Sequence, residues 1–377
     1  MSAKAFDVVV IGGGIVGAAC ALECAVEKLN VAIVEARMIG GGATAAGMGH
    51  LVVMDDSEAQ FSLTRYSQTL WQQLSDELPR TVEHDSCGTI WVAADDEEMQ
   101  EVFRKEKFYS ERGVAVEVLD AHALAEAEPN LRRGLAGGLR VPGDSVIYPP
   151  CAAQFFVERA VERGAQLFVG DAVEAVTREG VRLGNGSTIA AGLVVNAAGS
   201  WSPQLTPDLS VKKRKGHLVI TDRYPGFLRH QLVELGYLKS AHSLTADSVA
   251  FNIQPRKTGQ LLLGSSRQYG AEDVPCDPSI LSRMLARAIA YLPALGKLSA
   301  LRAWTGFRAA TPDKLPLIGP DNKNDRLYLA TGHEGLGITT SLGTAKLLVD
   351  QIMNRSPAIP VTPYLPSRMA LETSGRV

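Results

Sequence analysis

A run of glycines between two apolar segments near the N-terminus constrains this chain more than any other feature. The segment from Asp7 to Ile11 is apolar and β-branched, which is typical of a buried parallel strand. Gly12, Gly14 and Gly17 follow it. The first glycine permits a tight turn, the second lets the backbone approach a pyrophosphate, and the third lets a helix pack close to the sheet. That helix is predicted over residues 15–28, with its N-terminus towards the phosphates.

A second predicted strand, Val31 to Val34, leads into an acidic residue. This residue is Glu35, 23 positions after Gly12. A carboxylate there can accept hydrogen bonds from both hydroxyls of an adenosine ribose, and it repels a 2′-phosphate, which disfavours NADP. The order strand, glycine turn, helix, strand and acid predicts a dinucleotide site. The alternative is a glycine-rich turn that binds no ligand.

The size and charge of the chain limit its class. A chain of 377 residues is too long for one ordinary core, so two domains are expected. Hydrophobic residues make up 46% and charged residues 21%, which describes a globular protein. The net charge of −3 gives no broad basic field, so a nucleic-acid partner is not expected. The one dense basic run, Lys212 to Lys215, is predicted to be a solvated turn or strand edge, with a binding patch as the alternative.

The cysteines and the N-terminus indicate where the chain works. The five cysteines are odd in number and form no Cys-x-x-Cys pair, so neither a metal site nor a redox dithiol is predicted. The N-terminus leads directly into the first strand, without room for a signal peptide, and no apolar run is long enough to span a membrane. We therefore expect a cytoplasmic protein, and peripheral association with the inner membrane stays open.

Four motifs in order carry a resemblance to a known family. They are Gly12 to Glu35, Gly42 to Met48, Val194 to Trp201, and Gly306 to Pro316 followed by Gly332 to Thr340. Together they resemble the FAD-dependent amine oxidoreductases of the D-amino-acid oxidase superfamily, which includes glycine oxidase, sarcosine oxidase and D-amino acid dehydrogenases. The similarity runs from Val8 to about Asp350. Within that superfamily, the stretches after Arg214 and Gly332 look most like D-hydroxyproline dehydrogenase or an opine oxidase β-subunit.

The resemblance and the order of elements together predict the fold. Cofactor-binding features occur near both ends and in the middle of the chain, whereas residues 215–267 alternate between apolar and polar. We predict an α/β fold, α+β overall, with a discontinuous Rossmann-like FAD-binding domain and an inserted antiparallel-sheet substrate domain. The predicted FAD-binding domain spans residues 1–85, 140–214 and 300–377. The predicted substrate domain spans residues 86–139 and 215–299.

The resemblance implies which residues contact FAD. Glu35 corresponds to the residue that holds the ribose, the loop from Gly42 to Met48 wraps the pyrophosphate and one side of the flavin, and Val173 meets the adenine. The stretch from Gly332 faces the flavin pyrimidine. The full implied set is Gly12, Gly14, Ile15, Val16, Gly17, Glu35, Ala36, Arg37, Gly42, Ala43, Thr44, Ala46, Gly47, Met48, Val173, Ala197, Ala198, Gly199, Trp201, Gly332, Gly335, Leu336, Gly337, Ile338 and Thr339. The covalently flavinylated branch carries a cysteine near the position of Gly306, and none is close here, so non-covalent FAD is expected.

The resemblance also implies a substrate site. Arg308 corresponds to the arginine that binds the substrate carboxylate in glycine oxidase, and Arg308 and His333 are the predicted catalytic residues. His50 and His217 are predicted to line the same cavity, although each histidine could equally be a packed structural residue. Asn252 stands where glycine oxidase has a tyrosine. Glu334 departs from the glycine oxidase pattern, so a substrate other than glycine is expected.

The implied activity is FAD-dependent dehydrogenation or oxidative deamination of a small amino acid. A hydride would pass from the carbon of the C–N bond to flavin N5 in a D-amino acid or a cyclic or secondary amino acid, such as cis-4-hydroxy-D-proline. The electrons would then reach a quinone, a partner subunit or oxygen, and a homo- or hetero-oligomer is possible. The alternatives are an opine oxidase β-subunit, a glycine or sarcosine oxidase, a flavin monooxygenase, an NAD-dependent dehydrogenase, and a non-catalytic FAD-carrying electron-transfer subunit.

Overall fold

A computed structural model describes residues 5–236 and 247–369, and its first sheet holds the glycine turn. The sheet has eight strands: β1 (Phe6–Ile11), β2 (Val31–Glu35), β8 (Gln166–Val169), β9 (Val173–Thr177), β10 (Gly180–Leu183), β11 (Thr188–Asn196), β17 (Leu317–Pro320) and β18 (Leu327–Thr331). Its main order is β17-β18-β11-β1-β2-β8, and β9 and β10 extend from β11. Strand β1 pairs in parallel with β2 and β11, so all three strands end at one edge.

Nine helices are described beside the sheets. They are α1 (Ile15–Val26), α2 (Gly42–Ala45), α3 (Glu58–Leu74), α4 (Asp96–Ser110), α5 (Ala121–Ala127), α6 (Pro149–Glu162), α7 (Ser202–Leu205), α8 (Pro278–Tyr291) and α9 (Gly337–Ile352). Helix α1 packs against α6 and α9 on one face of the first sheet. Val8 and Val10 belong to the core beneath these helices, while Val9 and Ile11 belong to a second core on the opposite face. Because both faces are buried from Val8 to Ile11, this part of β1 is apolar throughout.

The second sheet is larger and mostly antiparallel. Its nine strands are β4 (Thr89–Ala93), β5 (Glu117–Asp120), β6 (Gly137–Val141), β12 (Lys212–Arg223), β13 (Gln231–Glu234), β14 (Ser248–Pro255), β15 (Gln260–Tyr269), β16 (Ala300–Ala310) and β19 (His333–Glu334). They run in the order β19-β16-β12-β15-β14-β13-β4-β6-β5. Helix α8 covers β14 and β15, and its Met284 and Ala288 enter the core of this sheet. A short ladder of β3 (His50–Leu51) with β7 (Ser145–Val146) completes the described strands.

The predicted fold class is confirmed, and the structure adds detail at the domain boundaries. The strand at Ala300–Ala310, which the predicted boundaries place in the FAD-binding domain, pairs with β12 from Lys212 to Thr221 and so belongs to the second sheet. This antiparallel pairing joins residues between 79 and 98 positions apart in the chain, which local sequence patterns do not reveal. Within the described ranges, no helix combines the length and the apolar character needed to cross a bilayer.

Candidate active site

A cavity of about 920 Å³ lies where the carboxyl edge of the first sheet meets one face of the second. Its wall contains all of the predicted cofactor and substrate residues except Gly17 and Thr339. The volume is in the range of sites for large organic ligands, roughly 300–1,000 Å³. Residues far apart in the sequence therefore share one chamber, with the glycine turn at one end and Arg308 at the other.

The glycine turn is built by close backbone contact between β1, α1 and β11. Gly12 has a φ of +106°, and a Cβ there would lie 2.7 Å from the carbonyl oxygen of Ala197. A Cβ at Gly17 would overlap the carbonyl oxygen of Gly12. Gly17 therefore holds the helix against the strand and does not line the cavity, and its contact with the cofactor stays a prediction.

The start of α1 points into the cavity, and its N-cap residue supplies no side-chain cap. Gly14 is the N-cap residue and makes no side-chain hydrogen bond. The hydroxyl of Thr44 accepts a hydrogen bond of 3.0 Å from the N–H of Ile15. Thr44 thus satisfies one N–H of the first turn, and the positive end of the helix dipole remains directed at the cavity.

Glu35 is held firmly at the end of β2. Its Oε2 accepts a hydrogen bond of 2.7 Å from the N–H of Gly13, and its Oε1 accepts one of 2.9 Å from the N–H of Arg37. These bonds fix a carboxylate beside the glycine turn. A carboxylate has about four acceptor positions, so this geometry is compatible with further bonds from ribose hydroxyls.

Small residues bring the loop around α2 against β16 and α9. A Cβ at Gly306 would overlap the Cβ of Ala46, and a Cβ at Gly47 would lie 2.6 Å from Cδ1 of Ile338. The wall here consists of backbone and short side chains, which suits a large flat ligand. The open helix N-terminus, the fixed carboxylate and this narrow wall together fit the pyrophosphate, ribose and ring system of FAD.

Arg308 reaches the cavity through a space that two glycines leave open. A Cβ at Gly216 would overlap Nη1 of Arg308, and a Cβ at Gly335 would lie 3.5 Å from its Nε. Nη1 donates a hydrogen bond of 2.9 Å to the carbonyl oxygen of Ser266. The guanidinium is therefore held in one place across β12 and β15. Gly216 is a determinant of the site that the sequence analysis did not identify.

Two further arginines and a glutamate surround Arg308. Arg214 lies directly opposite Arg308 in the β12–β16 register. Nη1 of Arg214 is 2.7 Å from Oε1 of Glu334, and the Nε of Arg267 is 3.9 Å from the same oxygen. The side chains of Arg214 and Glu334 are only 6% and 9% exposed. All four residues line the cavity.

The sequence analysis did not single out Arg214 or Arg267 as site residues. Arg214 belongs to the basic run that is predicted to be a solvated turn or strand edge, with a binding patch as the alternative. In the structure the run is part of β12, where Lys215 turns away from the cavity to Asp273 and to the carbonyl oxygen of Pro275. Side chains alternate between the two faces of a strand, so Arg214 and its adjacent lysines lie on opposite faces of β12. This alternation is the sequence signal that could have identified Arg214 as a site residue.

His50 is a neutral ring on the cavity wall. Burial, together with the nearby positive charge of Arg308, lowers the pKa of His50 to about 4, although Gln254 beside it acts in the opposite direction. The ring's Nε2 is buried and has no hydrogen-bond partner among the described residues. At neutral pH this imidazole therefore carries no charge.

The other two histidines are tied into the protein. Nε2 of His217 accepts a hydrogen bond of 2.9 Å from the N–H of Asp277, and its Nδ1 lies 2.8 Å from the hydroxyl of Ser266. Nε2 of His333 lies 2.9 Å from the hydroxyl of Thr344, inside α9. Burial lowers the pKa of His333 to about 3, so the ring is neutral. Both rings line the cavity, but their bonds favour a structural role over the predicted substrate-binding role of His217 and catalytic role of His333.

Thr339 and Asn252 complete the predicted set. The hydroxyl of Thr339 donates a hydrogen bond of 2.7 Å to the carbonyl oxygen of His50, which joins α9 to β3 outside the cavity wall. Its contact with the cofactor stays a prediction. Asn252 lines the cavity. It pairs with Val233 on β13, and Val233 pairs in turn with Trp91 on β4. In the described ranges, no three acidic, histidine or cysteine side chains are grouped so as to hold a metal ion.

Comparison with known proteins decides the family. The model of the DAO family, described as FAD-dependent oxidoreductases, matches residues 7–351. The chain belongs to this family. It is 26% identical to the hydrogen cyanide synthase subunit HcnC of Pseudomonas protegens, over 97% of each sequence. It is 29% identical to the glycine oxidase of Geobacillus kaustophilus, over 95% of this chain and 96% of that enzyme.

Two solved enzyme structures have the same architecture. The Geobacillus kaustophilus glycine oxidase superposes with a TM-score of 0.86 at 28% identity, covering 96% of this chain and 98% of that one. The L-proline dehydrogenase of P. horikoshii superposes with a TM-score of 0.87 at 25% identity, covering 98% and 99%. These findings confirm the predicted superfamily and its cofactor. The chain is an FAD-dependent oxidoreductase of amine donors, in a family of amino acid oxidases and dehydrogenases.

Proposed function

We propose that this chain dehydrogenates a D-amino acid or a cyclic or secondary amino acid, such as cis-4-hydroxy-D-proline, with Arg308 binding the substrate carboxylate. The observation that supports this most is the placement of Arg308 at the cavity wall, between Gly216 and Gly335 and bonded to Ser266. A guanidinium binds a carboxylate through two parallel hydrogen bonds, which orient the substrate as well as hold it.

The residues of the wall are suited to a reaction that needs little acid–base catalysis. Bound FAD supplies the hydride acceptor, N5 of the flavin. The substrate carbon loses a hydride, and the amine loses a proton as the imine forms and is later hydrolysed. His50 and His333 are neutral because burial lowers their pKa values to about 4 and about 3. An environment that disfavours positive charge on these rings also favours the neutral amine, whose lone pair assists loss of the hydride.

The route of the electrons after FAD is part of the proposal. HcnC is a subunit of a hydrogen cyanide synthase, and this similarity supports a partner subunit as the electron acceptor, with a quinone as the alternative. The proposed activity is therefore that of a dehydrogenase. Comparing the rates at which air and a soluble quinone reoxidise the reduced chain tests this point, and faster reoxidation by air would reject it. Cytoplasmic location and non-covalent attachment of FAD stay predictions.

Anaerobic substrate screening tests the reaction itself. FAD-loaded protein is mixed without oxygen with D-amino acids, cis-4-hydroxy-D-proline, sarcosine and opines, and the flavin absorbance is followed. We expect at least one α-amino acid to bleach the flavin with no other protein present. If none does, although FAD is bound, the chain is an electron-transfer subunit and the proposal is rejected.

A further inference from the structure

The described part of the cavity wall changes in character along the second sheet. Strands β16, β12 and β15 each contribute an arginine to it. The next three strands of the sheet, β14, β13 and β4, contribute four residues to the wall: Asn252, Gln231, Val233 and Trp91. None of these four side chains is charged. The described wall therefore has an uncharged section that continues the arginine-bearing section along the sheet.

The register of the strands brings these four side chains together. Asn252 pairs with Val233, and Val233 pairs with Trp91, so the three residues form a row across β14, β13 and β4. Gln231 stands two positions before Val233, and side chains two positions apart lie on the same face of a strand. Because neighbouring strands are about 4.8 Å apart, the four side chains form one patch, which we call the neutral patch.

Three polar atoms of the neutral patch are buried without a hydrogen-bond partner among the described residues. They are the indole Nε1 of Trp91, Oε1 of Gln231 and Oδ1 of Asn252. The amide of Gln231 is oriented by its Nε2, which donates a hydrogen bond of 3.1 Å to the hydroxyl of Thr89. Folded proteins seldom leave buried polar atoms unpaired, since each such atom loses its bonds to water. Three of them in one patch of a cavity wall indicate that a ligand supplies the missing partners.

The neutral patch begins beside the proposed carboxylate site. Asn252 pairs with Gly264 on β15. Ser266, two positions further along β15, accepts the hydrogen bond from Arg308. One strand spacing, about 4.8 Å, therefore separates the strand that holds the guanidinium from the strand that carries Asn252, which is within the length of an amino acid side chain. Trp91 lies two strands beyond Asn252, at the far end of the patch.

The far end of the neutral patch is supported from behind by a buried ion pair. Nζ of Lys105 lies 4.4 Å from the centroid of the Trp91 ring. Lys105 is fully buried and pairs with Asp55, which is also buried. The charge of Lys105 is thus paired within the protein, and the indole of Trp91 is held in place by the ammonium group.

From these observations, and resting on the proposed function, we propose that the neutral patch is the side-chain subsite for the substrate and binds an uncharged group that both donates and accepts hydrogen bonds. Two of the unpaired atoms are acceptors and one is a donor. A primary amide or a hydroxyl can bond to both kinds, whereas an alkyl group leaves all three atoms unpaired and a carboxylate has no donor. Terminal amide torsions have broad energy minima, so such a ligand can turn the oxygen of Asn252 towards the cavity.

Substrates that differ only in the group at the neutral patch test this assignment. The isosteric sets are D-threonine with D-valine, and D-asparagine with D-leucine and D-aspartate, and cis-4-hydroxy-D-proline with D-proline extends the comparison to cyclic amino acids. Anaerobic flavin reduction gives kcat/KM for each. We expect at least one hydroxyl or amide substrate to exceed its alkyl partner by at least about tenfold, since a site built to hydrogen-bond a group discriminates against an analogue without it.

The set in which this margin occurs identifies the preferred group as a hydroxyl or an amide. The assignment is overturned if no hydroxyl or amide substrate reaches the margin over its alkyl partner. It is also overturned if D-aspartate is the best substrate of all.

The variant Asn252→Leu separates recognition of the substrate from a role in the fold. It should lower the ratio of kcat/KM between the preferred polar substrate and its alkyl partner by at least about fivefold, the worth of about one hydrogen bond. An unchanged ratio, with both values lowered alike, would show a structural role and overturn the proposal. Asn322→Leu is the matched control, because Asn322 is exposed in the loop before β18 and outside the cavity wall, and it should leave the ratio unchanged.

Two further readings keep the outcomes distinct. Flavin absorbance reports the FAD content of each variant, and if Asn252→Leu does not retain FAD, Gln231→Met is measured in the same way with the same expected fall in the ratio. If polar and alkyl substrates reduce the flavin equally well, only the subsite proposal is lost. If no amino acid reduces it, the proposed function is lost as well.

Discussion

The two ends of the cavity bind their ligands by different means. The cofactor end consists of backbone and small residues, with Gly12, Gly47 and Gly306 allowing contacts too close for a Cβ. The substrate end consists of long charged side chains held by hydrogen bonds and ion pairs. Substitutions at the cofactor end should therefore abolish cofactor binding, whereas substitutions at the substrate end should change substrate affinity and leave FAD bound.

The largest effect is expected at the glycine turn. Gly17→Ala should prevent stable binding of FAD, because the new Cβ would overlap the carbonyl oxygen of Gly12 and separate α1 from β1. The measurement is the ratio of flavin absorbance to protein after purification. Gly296→Ala is the control, since its Cβ would have no neighbour closer than 3.7 Å and FAD should be retained. Normal FAD content in Gly17→Ala would contradict the account of this end.

The next effect concerns Arg308. Arg308→Ala should raise KM for the amino acid substrate by roughly 100-fold, which corresponds to the loss of one charge-assisted carboxylate pair of about 3 kcal/mol. FAD content should stay at the wild-type level, because Arg308 lies at the other end of the cavity. Steady-state kinetics and flavin absorbance measure both quantities. An unchanged KM would remove Arg308 from the substrate site.

A smaller effect is expected from Gly216, which acts through Arg308. Gly216→Ala should raise KM by roughly tenfold, since the added methyl group displaces the guanidinium without removing it. The test is a double-mutant cycle. The double variant with Arg308→Ala should have the same KM as Arg308→Ala alone. Additive effects would show that Gly216 acts on something other than Arg308.

The smallest effect is expected from a buried carboxyl group between β6 and β7, outside the cavity wall. Asp144 is fully buried, and its Oδ1 accepts hydrogen bonds from Gln68 on α3 and from the N–H of Val53. Burial raises the pKa of Asp144 to about 7. The folded protein therefore keeps this proton up to about pH 7, while the unfolded chain loses it near pH 4. This group's contribution to stability is present at low pH and is lost as the pH rises to about 7.

Asp144→Asn should remove that pH dependence. Between pH 5 and pH 8, ionisation of Asp144 should lower the free energy of unfolding of the wild type but not that of the variant. The free energy of unfolding of the variant minus that of the wild type should therefore increase by at least about 1 kcal/mol over this range, because one pKa unit corresponds to about 1.4 kcal/mol. Urea unfolding at both pH values measures the difference. A difference between variant and wild type that is the same at pH 5 and pH 8 would contradict the raised pKa.

How much could be predicted from the sequence also differs between the two ends. The turn at Gly12 and the acid at Glu35 depend on local backbone geometry. Such geometry requires particular residue types at a fixed spacing, so it is visible as a sequence motif. Gly17 and Thr339 lie behind the cavity wall and do not line it, and a linear motif does not distinguish these two positions. Arg214 and Arg267 reach the site only through the register of β12, β15 and β16, which depends on pairing between distant segments.

Anaerobic reduction of the isolated, FAD-loaded chain tests the central claim, that one cavity holds the flavin and an amino acid together. The absorbance of bound flavin is recorded after adding the best substrate of the screen to wild-type protein and to Arg308→Ala at equal FAD content. The account predicts complete bleaching of the wild type, and bleaching of the variant only at much higher substrate concentration. Full FAD occupancy with no bleaching of the wild type by any α-amino acid would contradict it.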